Sequence, residues 1–271
     1  MWGVMILVCS TAVPAIGAFE GIAHSGRSAA MGGASLAVIT PEVNLAVNPS
    51  LAAYPVHCTV SLNYVPQVFG LPELSHGSFG FIVPTSIGAF AVSGSRFGFD
   101  LYREVGLAVT YARRIGNELM VGASLEWYSL VIQSYGSATT IGTDVGLVAN
   151  LSKNIHWGFS ARNVNAPRIG VEKERLPQVF STGVSYQPTD ELTIAVDLIK
   201  DVLYPTELHV GAEYTFLDLM AVRGGTSSDP PMYTAGIGIH ISRFRLDYAL
   251  CHHQDLGMTH QIGLSIISGE Q

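Results

Sequence analysis

Few residues of this 271-residue chain stand in patterns that could support catalysis or metal binding. Cys251, His252 and His253 are the densest run of metal-ligating types, but adjacent strand residues point to opposite faces and no second His or Cys pair accompanies them. Asp144 and His156 could join a serine in a lipid-deacylating rim site. The sequence nevertheless lacks Gly-x-Ser-x-Gly, phosphate-cradling and His-Glu-x-x-His motifs. We therefore expect no enzyme, no cofactor and no metal centre.

A different set of polar residues occurs on one face of apolar, alternating stretches. This set comprises Glu126, Asp144, Arg162, Asp197, Glu213, Arg223, Arg245 and Asp247. If the stretches are strands of a barrel, all eight side chains face the lumen. They could then contact a solute, or they could neutralise one another and fill a narrow barrel. The second interpretation is favoured, because an unpaired charge inside a protein is costly.

The elements that carry these side chains have the period of two that strands with unlike faces require. In residues 121–128, Val, Ala, Leu and Trp alternate with Gly, Ser, Glu and Tyr, and residues 192–198 repeat the pattern. The second face is dominated by Gly, Ala, Ser and Thr, and aromatic residues often end the apolar face, as in the girdles of membrane barrels. The pattern therefore predicts strands that cross a membrane, in preference to a soluble sandwich.

About fourteen such stretches follow one another. They begin near residues 57, 76, 88, 104, 119, 138, 154, 178, 191, 206, 219, 232, 244 and 258. Alternate connections are short and rich in turn residues, whereas residues 69–76, 163–178, 224–231 and 252–257 suggest longer loops. An even strand number and unequal loops are typical of bacterial outer-membrane barrels. We predict an all-β fold: an antiparallel up-and-down transmembrane β-barrel over residues 57–271.

The composition agrees with a membrane location. Asp, Glu, Lys and Arg make up 13% of the chain, against roughly 25% in ordinary soluble domains, while hydrophobic residues make up 48%. The net charge of −7 argues against a protein that follows the phosphates of a nucleic acid. We therefore expect membrane lipid, and no nucleic acid, as a partner.

The N-terminal part differs in kind from the barrel. Residues 1–18 hold a short apolar run that ends at Gly17 and Ala18, which predicts a secretory signal peptide and hence delivery to the bacterial outer membrane. No Lys or Arg precedes that run, so either the signal is atypical or the true start lies upstream. Residues 19–56, here called the hatch segment, are rich in Ala and Gly and show no sustained alternation. We expect this segment to occupy the lumen.

The hatch segment also contains a recognisable run. Residues 25–34 hold Gly26, Arg27, Met31, Gly32 and Gly33, and they are followed by Asn44 and by Asn48-Pro49. This arrangement resembles the N-terminal signature of the PorV/PorQ family, which belongs to the wider FadL-type fourteen-stranded barrels. Weaker similarities continue to the C-terminus.

The resemblance implies two kinds of function. FadL-type members are passive conduits for hydrophobic solutes, with the N-terminal segment as a hatch. PorV-like members are outer-membrane components of the type IX secretion system that receive secreted proteins. We therefore expect a non-enzymatic barrel of transport or secretion type, whose partners are secreted proteins or hydrophobic small molecules. A purely structural barrel is a third alternative. We also expect Arg27 and Asn48 to tether the hatch segment to the wall.

Overall fold

The computed structural model describes residues 18–19, 25–42 and 45–269. Residues 1–17, which make up most of the expected signal peptide, and Asn44 of the expected hatch motif lie outside the described residues. The strands in chain order are β1 (Thr59–Val65), β2 (His76–Thr85), β3 (Gly88–Gly98), β4 (Tyr102–Ile115), β5 (Leu119–Ile132), β6 (Gly136–Asn150), β7 (Ile155–Arg162), β8 (Arg168–Ile169), β9 (Glu174–Arg175), β10 (Val179–Tyr186), β11 (Leu192–Asp201), β12 (Thr206–Phe216), β13 (Met220–Ser228), β14 (Pro231–Ile241), β15 (Phe244–His253) and β16 (Gly257–Ile267).

Fourteen of these strands form one closed antiparallel barrel. Each pairs with its neighbour along the chain, β7 pairs with β10 across the intervening β8–β9 hairpin, and β1 closes the barrel against β16. In the closing pair, Thr59 lies opposite Ile267 and Tyr64 opposite Ile262. The predicted fold class is therefore confirmed. Closure matters because it removes the two lateral edges that an open sheet would have, whose backbone groups would otherwise be unpaired.

The two faces of each strand have different surroundings. On β11, Ala195 and Asp197 are buried inside the barrel, whereas Ile194, Val196 and Leu198 are 37–46% exposed on the outside. Large apolar side chains are exposed in the same alternating way around the barrel, which is the arrangement expected of a wall that contacts lipid. In the described ranges, no helix is both long enough and apolar enough to span a bilayer.

The connections differ from the sequence prediction at two of the four expected loops. Only residues 66–75 and 163–178 form long connections, whereas the expected loop at 224–231 is mostly strand and the one at 252–257 is reduced to the turn 254–256 between β15 and β16. Gly224, Gly225 and Ser228 belong to β13 and pair with β14, so only Asp229 and Pro230 separate the two strands. Gly225 contributes to the turn-like appearance of the sequence, but it is small because the hatch segment packs against it on the inner face of the wall. We call the end that carries residues 66–75 and 163–178 the loop end, and the opposite end the turn end.

The strands also differ in length around the barrel. β4, β5 and β6 contain 14, 14 and 15 residues, whereas β7 and β10 contain 8 each. At about 3.4 Å per residue, β6 is roughly 24 Å longer than β7. Pairing between β6 and β7 covers only Val145 to Asn150 of β6. In the described part of the chain, Gly136–Asp144 therefore have a strand partner on the β5 side alone.

Candidate functional site

The described part of the hatch segment lies inside the barrel. Its one α-helix, Gly26–Ala30, begins at Ser25, whose hydroxyl accepts a hydrogen bond from the Ser28 backbone N–H at 3.2 Å. All five helical residues are buried against strands β13 to β16. The Gly26 N–H donates to Asn63 Oδ1 at 3.0 Å, which ties the start of the helix to β1. Asn63 is a contact that sequence reasoning missed, because nothing in a strand's alternation marks one inner polar residue as a partner of the helix.

Glycines of the wall allow the hatch backbone to approach closely. A side chain added at Gly211 or at Gly225 would overlap the backbone of Met31, which is fully buried. Gly32 has a φ of +67°, a conformation that favours glycine, and a Cβ there would lie 2.6 Å from the Thr226 backbone nitrogen. Contact between two backbones explains why the motif residues Met31 and Gly32 face glycines. Gly33, also at positive φ, lines a small void beside β10 and β11.

A buried ionic network holds the hatch segment to β12, β13 and β15. Arg27 binds Glu213 through two hydrogen bonds, Nε to Oε2 at 2.7 Å and Nη2 to Oε1 at 2.5 Å. Arg223 also binds Glu213, and its Nη1 donates to Asp247 Oδ1 at 2.6 Å. Arg245 Nη1 donates to Glu42 Oε1 at 3.2 Å. The structure thus brings Arg27, Glu213, Arg223, Arg245 and Asp247, all singled out in the sequence, into one cluster.

The network is balanced in charge on each side of the contact. The wall contributes two arginines and two acids, and the hatch segment contributes Arg27 and Glu42. Burial opposes ionisation of the Glu42 carboxyl, but Arg27, Arg223 and Arg245 outweigh this effect and hold its pKa below the ordinary value. One oxygen or nitrogen atom each of Glu42, His240 and Asp247 lie within 4.8 Å of one another. Both carboxylates already have arginine partners, which disfavours a metal ion there.

Two further wall contacts fix the middle of the hatch segment. Asp197, the inner acid of β11, accepts hydrogen bonds from the backbone N–H groups of Ser35 at 2.7 Å and Leu36 at 2.9 Å. His209 Nδ1 lies 2.5 Å from the carbonyl oxygen of Gly32. Asp197 therefore contacts the backbone of the hatch segment and no arginine of the network, although the sequence does not distinguish it from the acids that do.

Asn48 and Pro49 fix the end of the hatch segment. The Asn48 side chain, fully buried, donates to the carbonyl oxygens of Leu36 at 3.1 Å and of Leu147 at 3.2 Å. Its own oxygen accepts from Ser50 N–H at 3.1 Å and begins the 3₁₀ helix Pro49–Ala53. A side chain at Gly146 would overlap Asn48, and one at Gly122 would lie 2.7 Å from the Pro49 carbonyl. Asn48 thus binds a backbone carbonyl of the wall, that of Leu147 on β6, whereas Arg27 binds a side chain of the wall, that of Glu213 on β12.

Substitution of Asn48 by alanine is expected to loosen residues 45–53. The change removes two donated and two accepted hydrogen bonds at a buried position, each of which contributes about 0.5–1.5 kcal/mol. Hydrogen–deuterium exchange should become faster in the peptide that covers these residues. Asn117→Ala, in an exposed turn, is the control. Equal exchange in both variants would contradict this account of Asn48.

The remaining three polar residues from the sequence lie apart from the network. Glu126 Oε2 accepts a hydrogen bond from Tyr128 Oη at 2.9 Å, and Asp144 Oδ1 accepts one from the Asn163 backbone at 2.7 Å. Arg162, at the end of β7, has a buried Nε without an acceptor in the described part of the chain. Among the described residues, none of the three forms an ion pair within 4.0 Å. The favoured interpretation, mutual neutralisation, therefore fits the network and does not fit these residues.

These three residues line a cavity of about 80 Å³ between the hatch segment and the first half of the barrel. A cavity needs at least about 10–15 Å³ to hold one water, so this one has room for several waters. Small inner residues create the space: the lining includes Ser78, Gly80, Ser93, Ser95, Ala108, Thr110 and Ser124. The remaining lining residues include Phe19 and Leu45 of the hatch segment.

The cavity is covered at the loop end and closed at the turn end. The Phe19 ring packs edge-on against Tyr128, with centroids 4.8 Å apart, and Ile169 and Leu176 of the long connection join the same apolar cluster. At the turn end, Leu45 and Ala52 pack in a cluster with inner residues of β2, β3 and β4. A solute in the cavity therefore has no open path along the barrel axis past residues 45–53.

The side wall beside the cavity is held by few contacts. Residues 163–178 cover the part of β6 that lacks a strand partner. The amide group of Asn165 accepts from Thr143 N–H at 3.0 Å and donates to the Ile141 carbonyl at 2.9 Å. Asn163, at a φ of 55°, donates from its side chain to the Pro177 carbonyl at 2.7 Å. Sequence reasoning missed both asparagines, and only their position after a strand end could have drawn attention to them.

The acid and the histidine considered for lipid deacylation do not meet. His156 lies opposite Asn150 in the β6–β7 pair, and its Nδ1 lies 2.8 Å from Asn150 Oδ1. Asp144 is six residues away along β6, or roughly 20 Å at about 3.4 Å per residue. Cys58 and Cys251 are both free thiols.

Comparison with known proteins finds similarity in structure only. A scan against models of protein families gives no match, and a search of curated protein sequences gives none. Among solved structures, the chain is similar to the toluene transporter TodX of Pseudomonas putida (12% identity, TM-score 0.63, 90% of this chain and 96% of that chain). It is also similar to the monoaromatic hydrocarbon channel CymD (14%, 0.68, 94% and 100%). A FadL homologue of Pseudomonas aeruginosa matches at 13% identity with a TM-score of 0.65, over 91% of this chain and 98% of that chain. At these identities the similarity establishes a shared fold.

Proposed function

We propose that this chain is a non-enzymatic outer-membrane channel that passively admits small, largely apolar molecules. The observation that carries the proposal is the cavity that lies beside a weakly held part of the wall. The fold is that of barrels described as hydrocarbon transporters and channels, which supports the same assignment. The proposal includes removal of residues 1–18 as a signal peptide, residues 19–56 as the hatch and residues 57–271 as the barrel.

The route that we propose runs sideways. The hatch segment blocks the axis at residues 45–53, whereas the wall beside Asp144 and Arg162 depends on side-chain contacts of Asn165 and on residues 163–178. A solute that enters from the loop end can leave through this part of the wall when the connection moves. The outward face of the barrel is apolar, so an apolar solute that leaves there passes into the bilayer without crossing a polar layer.

Locking the connection to β6 is expected to stop uptake. Thr143→Cys combined with Asn165→Cys, with the native cysteines replaced by serine, places a disulfide where the Thr143 backbone and the Asn165 side chain lie 3.0 Å apart. Uptake of toluene by whole cells that carry the barrel should fall at least tenfold in the oxidised double variant and return after reduction, because the outer membrane, unlike a phospholipid bilayer, resists the unaided entry of hydrocarbons. Thr143→Cys alone should behave like the protein without cysteines, whereas Asn165→Cys alone, which loses the contacts with Thr143 and Ile141, should not reduce uptake. Undiminished uptake through the oxidised barrel would refute the sideways route.

A role in protein secretion is the second interpretation, and it comes from the PorV/PorQ resemblance alone. Its motif residues Arg27 and Met31 are engaged inside the barrel, with Glu213 and with the wall glycines, so they offer a secreted protein no surface. Gentle extraction from the native membrane followed by mass spectrometry separates the alternatives. Copurified proteins that share a C-terminal β-domain would favour secretion. A hydrophobic small molecule without a protein partner would favour the channel.

A further inference from the structure

We infer that the cavity lined by Glu126, Asp144 and Arg162 binds small one-ring molecules that carry a hydrogen-bond donor, an ammonium group above all. The inference rests on the proposed channel function and names the class of solute that the channel selects. It departs from the plain hydrocarbons named for the structural neighbours.

The wall of the cavity is more polar than a plain hydrocarbon requires. Hydroxyl groups of Ser78, Ser93 and Ser95 line it on β2 and β3, and Thr110 and Ser124, which hydrogen-bond each other at 2.7 Å, line it on β4 and β5. A hydrocarbon in contact with the three serines of β2 and β3 would give them no hydrogen bond. Contact of such groups with apolar surface is unfavourable, so a solute that can hydrogen-bond is preferred.

The charges of the cavity favour a cation. Its lining contains two acids, Glu126 and Asp144, and one arginine, Arg162. None of them forms an ion pair within 4.0 Å among the described residues, whereas every acid of the hatch network has an arginine partner. By formal charge the lining holds one acid more than it holds arginines, so a solute with a positive group finds an acid to pair with there. An anionic solute could accept a hydrogen bond from Arg162 Nε, but it would also lie beside two acids and is disfavoured.

The geometry provides a place for the donor group. Glu126 uses Oε2 for Tyr128, while its Oε1 lies 3.1 Å from the point that a Cβ of Gly106 would occupy. Ser95 Oγ lies 3.1 Å from the same point. Two acceptors thus flank an inner position that has no side chain. The rings of Phe19 and Tyr128 supply the apolar surface for the body of the solute.

The test compares three probes that share one ring but differ in head group: 2-phenylethylamine, ethylbenzene and 3-phenylpropionate. Binding to the full chain in detergent is measured by titration calorimetry near neutral pH. We expect the amine to bind at least tenfold more tightly than ethylbenzene and the carboxylate to bind most weakly. Glu126→Gln should weaken amine binding about tenfold and leave ethylbenzene binding within twofold.

A matched control removes the same charge elsewhere. Glu191→Gln lies in an exposed turn and should leave all three affinities unchanged. The folded state of each variant is checked by the resistance of the barrel to unfolding in SDS. If ethylbenzene binds as tightly as the amine, or if Glu126→Gln leaves the preference for the amine intact, the inference fails and the channel proposal stands. If no probe binds the folded protein, both fail.

Discussion

Substitution of Gly225 by alanine is expected to release the hatch segment from the wall while leaving the barrel closed. A Cβ at this position overlaps the carbonyl carbon and oxygen of Met31 and the nitrogen of Gly32. Backbone atoms cannot move aside as the tip of a flexible side chain can, and overpacking of this kind costs about 1–3 kcal/mol. The open form of the hatch should therefore become about 5- to 150-fold more populated.

The measurement uses a cleavage site that the hatch itself provides. Arg27 is buried in the docked state, and trypsin can cut after it only when the segment opens. Digestion of the folded protein in detergent, followed by mass spectrometry, should detect faster cleavage at Arg27 in Gly225→Ala. Uptake of toluene by whole cells that carry this variant should rise in parallel.

The neighbouring glycine gives a closely matched control. A Cβ added at Gly224 would meet nothing closer than the Thr234 carbonyl oxygen at 3.8 Å. Both glycines lie on β13, pair with β14 and undergo the same chemical change, so any shared effect on the strand cancels. Wild-type protection of Arg27 in Gly225→Ala would refute the role assigned to contact between the two backbones.

Removal of the Arg27 side chain is expected to have the second large effect. Its guanidinium holds Glu213 with two hydrogen bonds and lies 3.8 Å from Glu42. Loss of one partner from a buried ion pair costs up to about 3–5 kcal/mol, because the buried network of three arginines and three acids is left with one carboxylate in excess, although Arg223 still contacts Glu213 and Arg245 still contacts Glu42. Arg27→Ala should thus open the hatch further than Gly225→Ala does. Arg27→Lys keeps the charge but cannot form the two-pronged contact, and it should fall between the wild type and Arg27→Ala.

Proteinase K is the probe for this series, because trypsin loses its site when Arg27 is replaced. The rate of loss of the hatch segment should rise from wild type to Arg27→Lys to Arg27→Ala, with the barrel fragment intact throughout. Since the pair is buried, the rate should depend little on salt concentration. Equal digestion of all three proteins would show that Arg27 does not hold the hatch segment in place.

The alternation of residue types was enough to predict the fold. Stretches expected to begin near residues 119, 206 and 244 are strands that begin at those residues, and the antiparallel closed barrel of fourteen strands is confirmed. A strand with one face in lipid cannot shift its register by one residue without moving every apolar side chain inward, so the pattern is strict. The failure at residues 224–231 has a physical cause. Gly225 is small because Met31 packs on it, and sequence alone does not separate that reason from a turn.

The site was less accessible to sequence reasoning. The alternation of residues along a strand identifies polar residues that face inward, such as Glu126 and Glu213. It does not tell which of them forms an ion pair. Glu213 is neutralised by Arg27, which belongs to no strand and is 186 residues away in the chain. Glu126 faces a cavity whose existence depends on small residues of three other strands as well as of its own. Ion pairs between inner side chains form only in the closed barrel. The alternation of residue types along one strand therefore cannot predict them.

The way in which the hatch segment docks also constrains how the protein assembles. Helix Gly26–Ala30 is synthesised before any strand, yet its binding surface consists of strands β13 to β16, which are synthesised last. Arg27 can reach Glu213, and Gly26 can pack on Gly263, only after the ends of the chain have come together. Contacts of such long range are formed late, since the entropy of closing the intervening loop must be overcome first. The part of the protein that is made first is thus the part that is placed last, and barrel closure precedes the sealing of the lumen.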